Sequence, residues 1–146
     1  MLYRRTTGGL EVLLVHPGGP FWARRDLGSW SIPKGEYGPD ETPLAAARRE
    51  FAEELGVAAP EGRVEDLGEV RQKSGKRVRA WALAGDMDAS RVRSNTFTLE
   101  WPPRSGVTQE FPEVDRAEWF ELTVAREKIT AAQVALIDRL QELQRS

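Results

Sequence analysis

Residues 42–56, TPLAAARREFAEELG, spell out one helix with both of its ends marked. Thr42 offers a side-chain oxygen to the first unpaired amides. Pro43 suits the first helical position, where its missing N–H is no loss, and Gly56 takes the left-handed conformation that stops the helix. At about 100° per residue, Leu44, Phe51 and Leu55 fall within about 40° of one another and form the face to be buried. Glu50, Glu53 and Glu54 occupy another sector, centred about 130° away, with Ala46 one turn beneath Glu50. These acids weaken the helix that carries them. Near a C-terminus each opposes the macrodipole by about 0.3–1 kcal/mol, and the like charges of Glu50 and Glu54 four residues apart cost about 0.2–0.5 kcal/mol more. A divalent cation reverses both effects, and carboxylates without histidine or cysteine select a hard ion such as Mg²⁺. Arg49 pairs with Glu53 one turn on and orients it. A solvated acidic face is the alternative reading of the same residues.

Around this helix the chain reads mostly as strand. Residues 10–16, LEVLLVH, form an apolar run between Gly8-Gly9 and Pro17-Gly18-Gly19-Pro20, the pattern of a buried strand. Glycine and proline exclude regular structure from there to about residue 28, so Phe21, Trp22, Arg24 and Arg25 lie on a loop, where ligand contacts concentrate. One of the two aromatics is expected in the core and the other free to stack on a base or sugar. Residues 64–73 and 76–84 read as a hairpin turning near Ser74-Gly75, with Val78, Ala80 and Ala82 alternating. Residues 97–101 and 117–122 are further strands, Tyr3 belongs to a short one at the start, and residues 131–143 repeat Val134, Ile137 and Leu140 at helical spacing.

A length of 146 residues fits one domain, residues 1–146, with a real core. No run approaches the ~18 apolar residues of a membrane span, and the start lacks a secretory signal, so a cytoplasmic protein is expected. Zero cysteines exclude disulfides, zinc-thiolate sites and cysteine nucleophiles, and the single histidine, His16, argues against a Ser-His-Asp triad. A net charge of −2 gives no footprint for bulk nucleic-acid binding.

Read from Gly35, the chain places Glu41 after five residues and Arg49-Glu50-Phe51-Ala52-Glu53-Glu54-Leu55-Gly56-Val57 after seven more. This resembles the Nudix hydrolase signature at every specified position, and Trp30-Ser31-Ile32-Pro33-Lys34 is similar to the approach to that signature in many members. The resemblance implies an α/β fold, a single-domain sandwich with a mixed β-sheet between helices. It implies a metal site built from Glu50 and Glu54, with Glu53 and the main-chain carbonyl of Gly35 contributing, and supporting roles for Arg49 and Glu41. A further carboxylate after the signature often serves such sites as ligand or general base; Glu113 is the first choice here and Glu110 the second.

The implied reaction is hydrolysis of a phosphoanhydride in a nucleoside diphosphate linked to another group, with Mg²⁺, or Mn²⁺ in its place, as cofactor and a small nucleotide as partner. Lys34, Arg24 and Arg25 are expected phosphate contacts, Lys73, Lys76 and Arg77 form a second basic group, and Trp22 is a stacking surface. The approach sequence resembles members acting on nucleoside triphosphates and dinucleoside polyphosphates. Two other readings stand beside this: a diphosphoinositol or other non-nucleotide diphosphate as substrate, and a module that senses a nucleotide without cutting it. The sequence does not fix the oligomeric state.

Overall fold

The computed structural model describes residues 1–33 and 40–145. Strands β1 (Leu2–Thr6), β2 (Gly9–Pro17), β3 (Val64–Arg71), β4 (Arg77–Ala84) and β7 (Val114–Glu121) form one sheet in the order β3-β4-β1-β2-β7. β1 runs parallel to β4 and the other neighbours are antiparallel, so the sheet is mixed, as expected. Among the described residues, strands β5 (Thr96–Glu100) and β6 (Thr108–Pro112) pair only with each other as a separate two-stranded sheet. Helix α1 (Pro43–Leu55) covers one face of the large sheet, and α2 (Leu122–Lys128) and α3 (Val134–Arg145) cover the other.

β2 shows why the chain folds this way. Its residues 12–16 are all buried because both faces of a central strand are covered, which demands an uninterrupted apolar run. Alternation divides them between two cores. Val12 and Leu14 join Trp30, Ile32 and the α2–α3 residues Ala125, Leu136, Ile137 and Leu140; Leu13 and Val15 join Phe51 and Leu55 of α1 with Leu2, Leu83 and Ala117. Burying each such leucine stabilises the fold by about 1.5–3 kcal/mol.

Several expectations need correction. Phe21 is 61% exposed and Trp22 38%, so neither packs in the core; Phe21 instead meets the edge of Trp101, with ring centroids 5.3 Å apart. Leu44 is only half-buried, whereas Ala46, on the acids' side of α1, is 2% exposed. The helix is therefore covered at Ala46 as well as along its apolar stripe. Residues 131–133 form a 3₁₀ turn before α3 begins. β6 and α2 were not expected. β6 reads TQEFP with no apolar alternation, and α2 has seven residues, too few for a periodic signal.

The β5–β6 sheet is pressed onto the loop that follows β2. A Cβ on Gly18 would stand 1.9 Å from the Pro112 carbonyl oxygen, and one on Gly19, at φ 97°, would stand 2.9 Å from the Phe97 ring. Only glycine allows this approach.

Candidate active site

The local sequence builds α1 as its ends predict. Thr42 Oγ1 accepts from the Ala45 N–H at 3.1 Å, and Gly56, at φ 75°, donates to the Ala52 carbonyl at 2.8 Å. Glycine is required there for a second reason: the Arg93 carbonyl oxygen lies 2.2 Å from where a Cβ on residue 56 would be.

Arg49 organises the acids. Its Nη2 and Nε donate to the two carboxylate oxygens of Glu41 at 2.7 and 3.1 Å, while Nη1 donates to Glu50 at 2.8 Å and to Glu53 at 3.2 Å. The Glu41 bonds first, and then Glu50, hold the guanidinium pKa above its ordinary value. The expected Arg49–Glu53 pair is present, and Glu41 makes the two-point contact that fastens the residues before α1 to the helix. The Glu50 side chain is 16% exposed and that of Glu53 40%.

The donor chemistry suits a hard divalent cation, since three carboxylates share one stretch of helix, no cysteine exists, and the one histidine is engaged elsewhere. Among the described residues no three acidic or histidine side chains already converge as a cluster, and Arg49 bridges Glu50 and Glu53 instead. Gly35 and Lys34 lie outside the described residues.

Glu54 and Glu113 line one cleft of about 500 Å³, together with Trp22 from the loop after β2 and Gln72, Lys73 and Ser74 from the β3–β4 turn. Main-chain hydrogen bonds set the spacing of its walls. Asn95 N–H donates to the Glu53 carbonyl at 3.0 Å, Glu113 N–H to the Asn95 carbonyl at 2.8 Å, and Gly18 N–H to the Glu113 carbonyl at 2.9 Å. Helix, candidate base and loop are thereby tied in series. Glu110, the second choice, is exposed on β6, accepts from Thr96 Oγ1 at 2.8 Å and does not line the cleft.

The basic residues divide differently from expectation. Lys73 lines the cleft, whereas Arg24, Arg25 and Lys76 do not. Arg25 lies over the Trp22 ring, 5.4 Å from its centroid. Sequence reading also missed Gln133, which is fully buried: its Oε1 accepts from Ile32 N–H at 3.0 Å and its Nε2 reaches Gln72 Oε1 at 3.4 Å, joining the approach to residue 34 with the cleft wall. Nothing in the sequence pairs residues so far apart.

The fold is of the α/β class, a mixed sheet between helices that carries an arginine-bound set of glutamates beside an open cleft. A family model described as NUDIX domain matches residues 1–140, and the chain belongs to the Nudix family, as a pyrophosphohydrolase acting on phosphorus-containing acid anhydrides. Solved structures share the fold at low identity. A Caenorhabditis elegans Ap4A hydrolase is 21% identical, with 99% of this chain and 94% of that one covered and a TM-score of 0.67. The NUDIX domain of Shewanella oneidensis NrtR, complexed with ADP ribose, is 21% identical, with 98% and 83% covered and a TM-score of 0.64. A MutT protein from Methanosarcina mazei is 22% identical, with 99% and 92% covered and a TM-score of 0.62. No curated protein sequence matches significantly. Among the described residues no helix is long and apolar enough to cross a membrane.

Proposed function

We propose that this chain is a Mg²⁺-dependent enzyme cleaving a nucleoside diphosphate linked to another group, with a nucleoside triphosphate or dinucleoside polyphosphate as substrate. The observation that carries this reading is the meeting of Glu54 and Glu113 in one cleft with Lys73 and Trp22. Glu50 and Glu54 would hold the ion, with Glu53 and the Gly35 carbonyl as further donors; Mn²⁺ would suit the same oxygens. When bound, the ion neutralises the diphosphate and polarises the nucleophile. Arg49 and Glu41 keep the helix and the residues before it in register.

Glu113 accepts the proton of the attacking water as its oxygen bonds to phosphorus and the bridging P–O bond breaks, leaving two phosphate products. Lys73, with Lys34 from beside the signature, offsets charge on the phosphates, and Trp22 stacks on the base or sugar. Arg24, Arg25 and Lys76, which do not line the cleft, act at longer range as contributors of positive potential. The aromatic wall favours a nucleotide over a diphosphoinositol. The test is phosphate release over a nucleotide panel in Mg²⁺ and Mn²⁺, with Glu54→Gln beside the wild type. Turnover is expected to collapse in the variant. Full activity in a correctly folded Glu54→Gln removes that residue from the reaction, and binding without turnover by the wild type supports a sensor.

A further inference from the structure

The loop carrying Trp22 is closed by a residue with no part in the chemistry above. His16 is 1% exposed, and its ring meets the edge of Trp30 with centroids 5.0 Å apart. Its Nε2 lies 2.7 Å from the Arg25 carbonyl oxygen and its Nδ1 lies 2.8 Å from Asp115 Oδ1. A carbonyl and an ionised carboxylate only accept, so both contacts are hydrogen bonds when both ring nitrogens carry protons. The sequence reading left this histidine without a role.

Its surroundings give the two bonds a purpose. In the β2–β7 ladder His16 faces Arg116 and Pro17 faces Val114, so the register skips Asp115 at an irregularity. Such bulges re-aim side chains, and this one brings Asp115 to the ring. Asp115 stands two residues after Glu113, whose carbonyl accepts from Gly18 N–H at 2.9 Å. Trp22 N–H donates to the Gly19 carbonyl at 3.3 Å and Arg25 N–H to the Trp22 carbonyl at 2.9 Å. Trp22 thus sits midway along a short loop. One end is fixed to Glu113 through Gly18, and the other is fixed to β7 through the histidine.

We propose that His16 is a positioning residue: by clasping the Arg25 carbonyl and Asp115 together, it sets Trp22 opposite the phosphate-binding wall and so governs nucleotide affinity. The proposal rests on the nucleotide reading given above. A ring that merely filled space would serve equally well as phenylalanine, which preserves the edge contact with Trp30 and makes neither bond.

The variants His16→Phe, Asp115→Ala and Asp115→Asn separate these cases. His16→Phe, which loses both contacts, is expected to raise KM for ATP about tenfold, with kcat within about twofold of wild type. Asp115→Ala raises KM by less. Asp115→Asn restores a near wild-type KM, because its amide donates to Nδ1 of a singly protonated ring while Nε2 still serves Arg25.

Amide hydrogen exchange without ligand is the second measurement. Residues 18–28 should exchange faster in His16→Phe and normally in Asp115→Asn, with α1 unchanged in both. A His16→Phe protein that melts earlier but keeps wild-type KM and loop exchange overturns the clasp. A wild type that binds ATP without releasing phosphate defeats the enzymatic reading alone, because dissociation constants then replace KM in the same comparison. If ATP neither binds nor turns over, the exchange pattern decides.

Discussion

Replacing Gly18 with alanine should disable turnover far more than it harms the fold. The added Cβ would lie 1.9 Å from the Pro112 carbonyl oxygen, against 3.4 Å for ordinary contact, a deficit of about 1.5 Å. Its partner is backbone, so rotamer changes cannot relieve it. Either the loop retreats or the β6–β7 junction does, and in both cases the Gly18 N–H to Glu113 carbonyl bond, 2.9 Å long, stretches. Overpacking of this kind costs about 1–3 kcal/mol of stability, which a 146-residue domain survives. The displacement of Glu113, the proposed base, is the larger expected effect, since a misplacement of about 1 Å at a reacting group can lower a rate about 100-fold. Steady-state nucleotide hydrolysis in Mg²⁺ beside thermal melting measures both. Gly8→Ala is the control, because its Cβ meets nothing closer than Thr6 Oγ1 at 3.8 Å. A Gly18→Ala enzyme with wild-type kcat would refute the idea that contact between loop and β6 sets the base in place.

Two further outcomes follow from the fold. Leu14→Ala removes a fully buried side chain from the core beneath α2 and α3 and should cost about 2–5 kcal/mol in urea denaturation. Asp26 accepts from Lys128 and, at 2.8 Å, from Trp30 Nε1; these bonds, Lys128 first, hold its carboxyl pKa below the ordinary 3.8. A depressed carboxylate stabilises the folded state above its unfolded pKa and loses that contribution as pH falls through the folded value. Acid unfolding below about pH 4 should therefore begin at higher pH in Lys128→Met than in wild type, followed by tryptophan fluorescence.

Parts of this molecule were legible because their physics is local. Residues 10–16 announced a strand covered on both faces by an unbroken apolar run, and residues 42–56 carried their own caps, so β2 and α1 could be read directly. The glutamates of α1 were legible for the same reason, being neighbours on one helix. What escaped depends on contacts between distant residues. β6 has no apolar alternation and exists because its partner β5 and the glycines at 18 and 19 receive it. His16 meets Asp115 across 99 positions, and Gln133 meets Ile32 across 101, with no pattern in either place to signal it. Exposed cations have no periodicity at all. Lys73, and not Arg24, Arg25 or Lys76, came to the cleft because the β3–β4 turn points it there.

The series of contacts from Glu53 through Asn95 and Glu113 to Gly18 is made by peptide groups alone. Substitution at position 95 can then proceed freely, proline excepted, without altering how far the helix stands from the opposing wall. Side chains along both walls can then change while the interval between helix and opposing wall is kept.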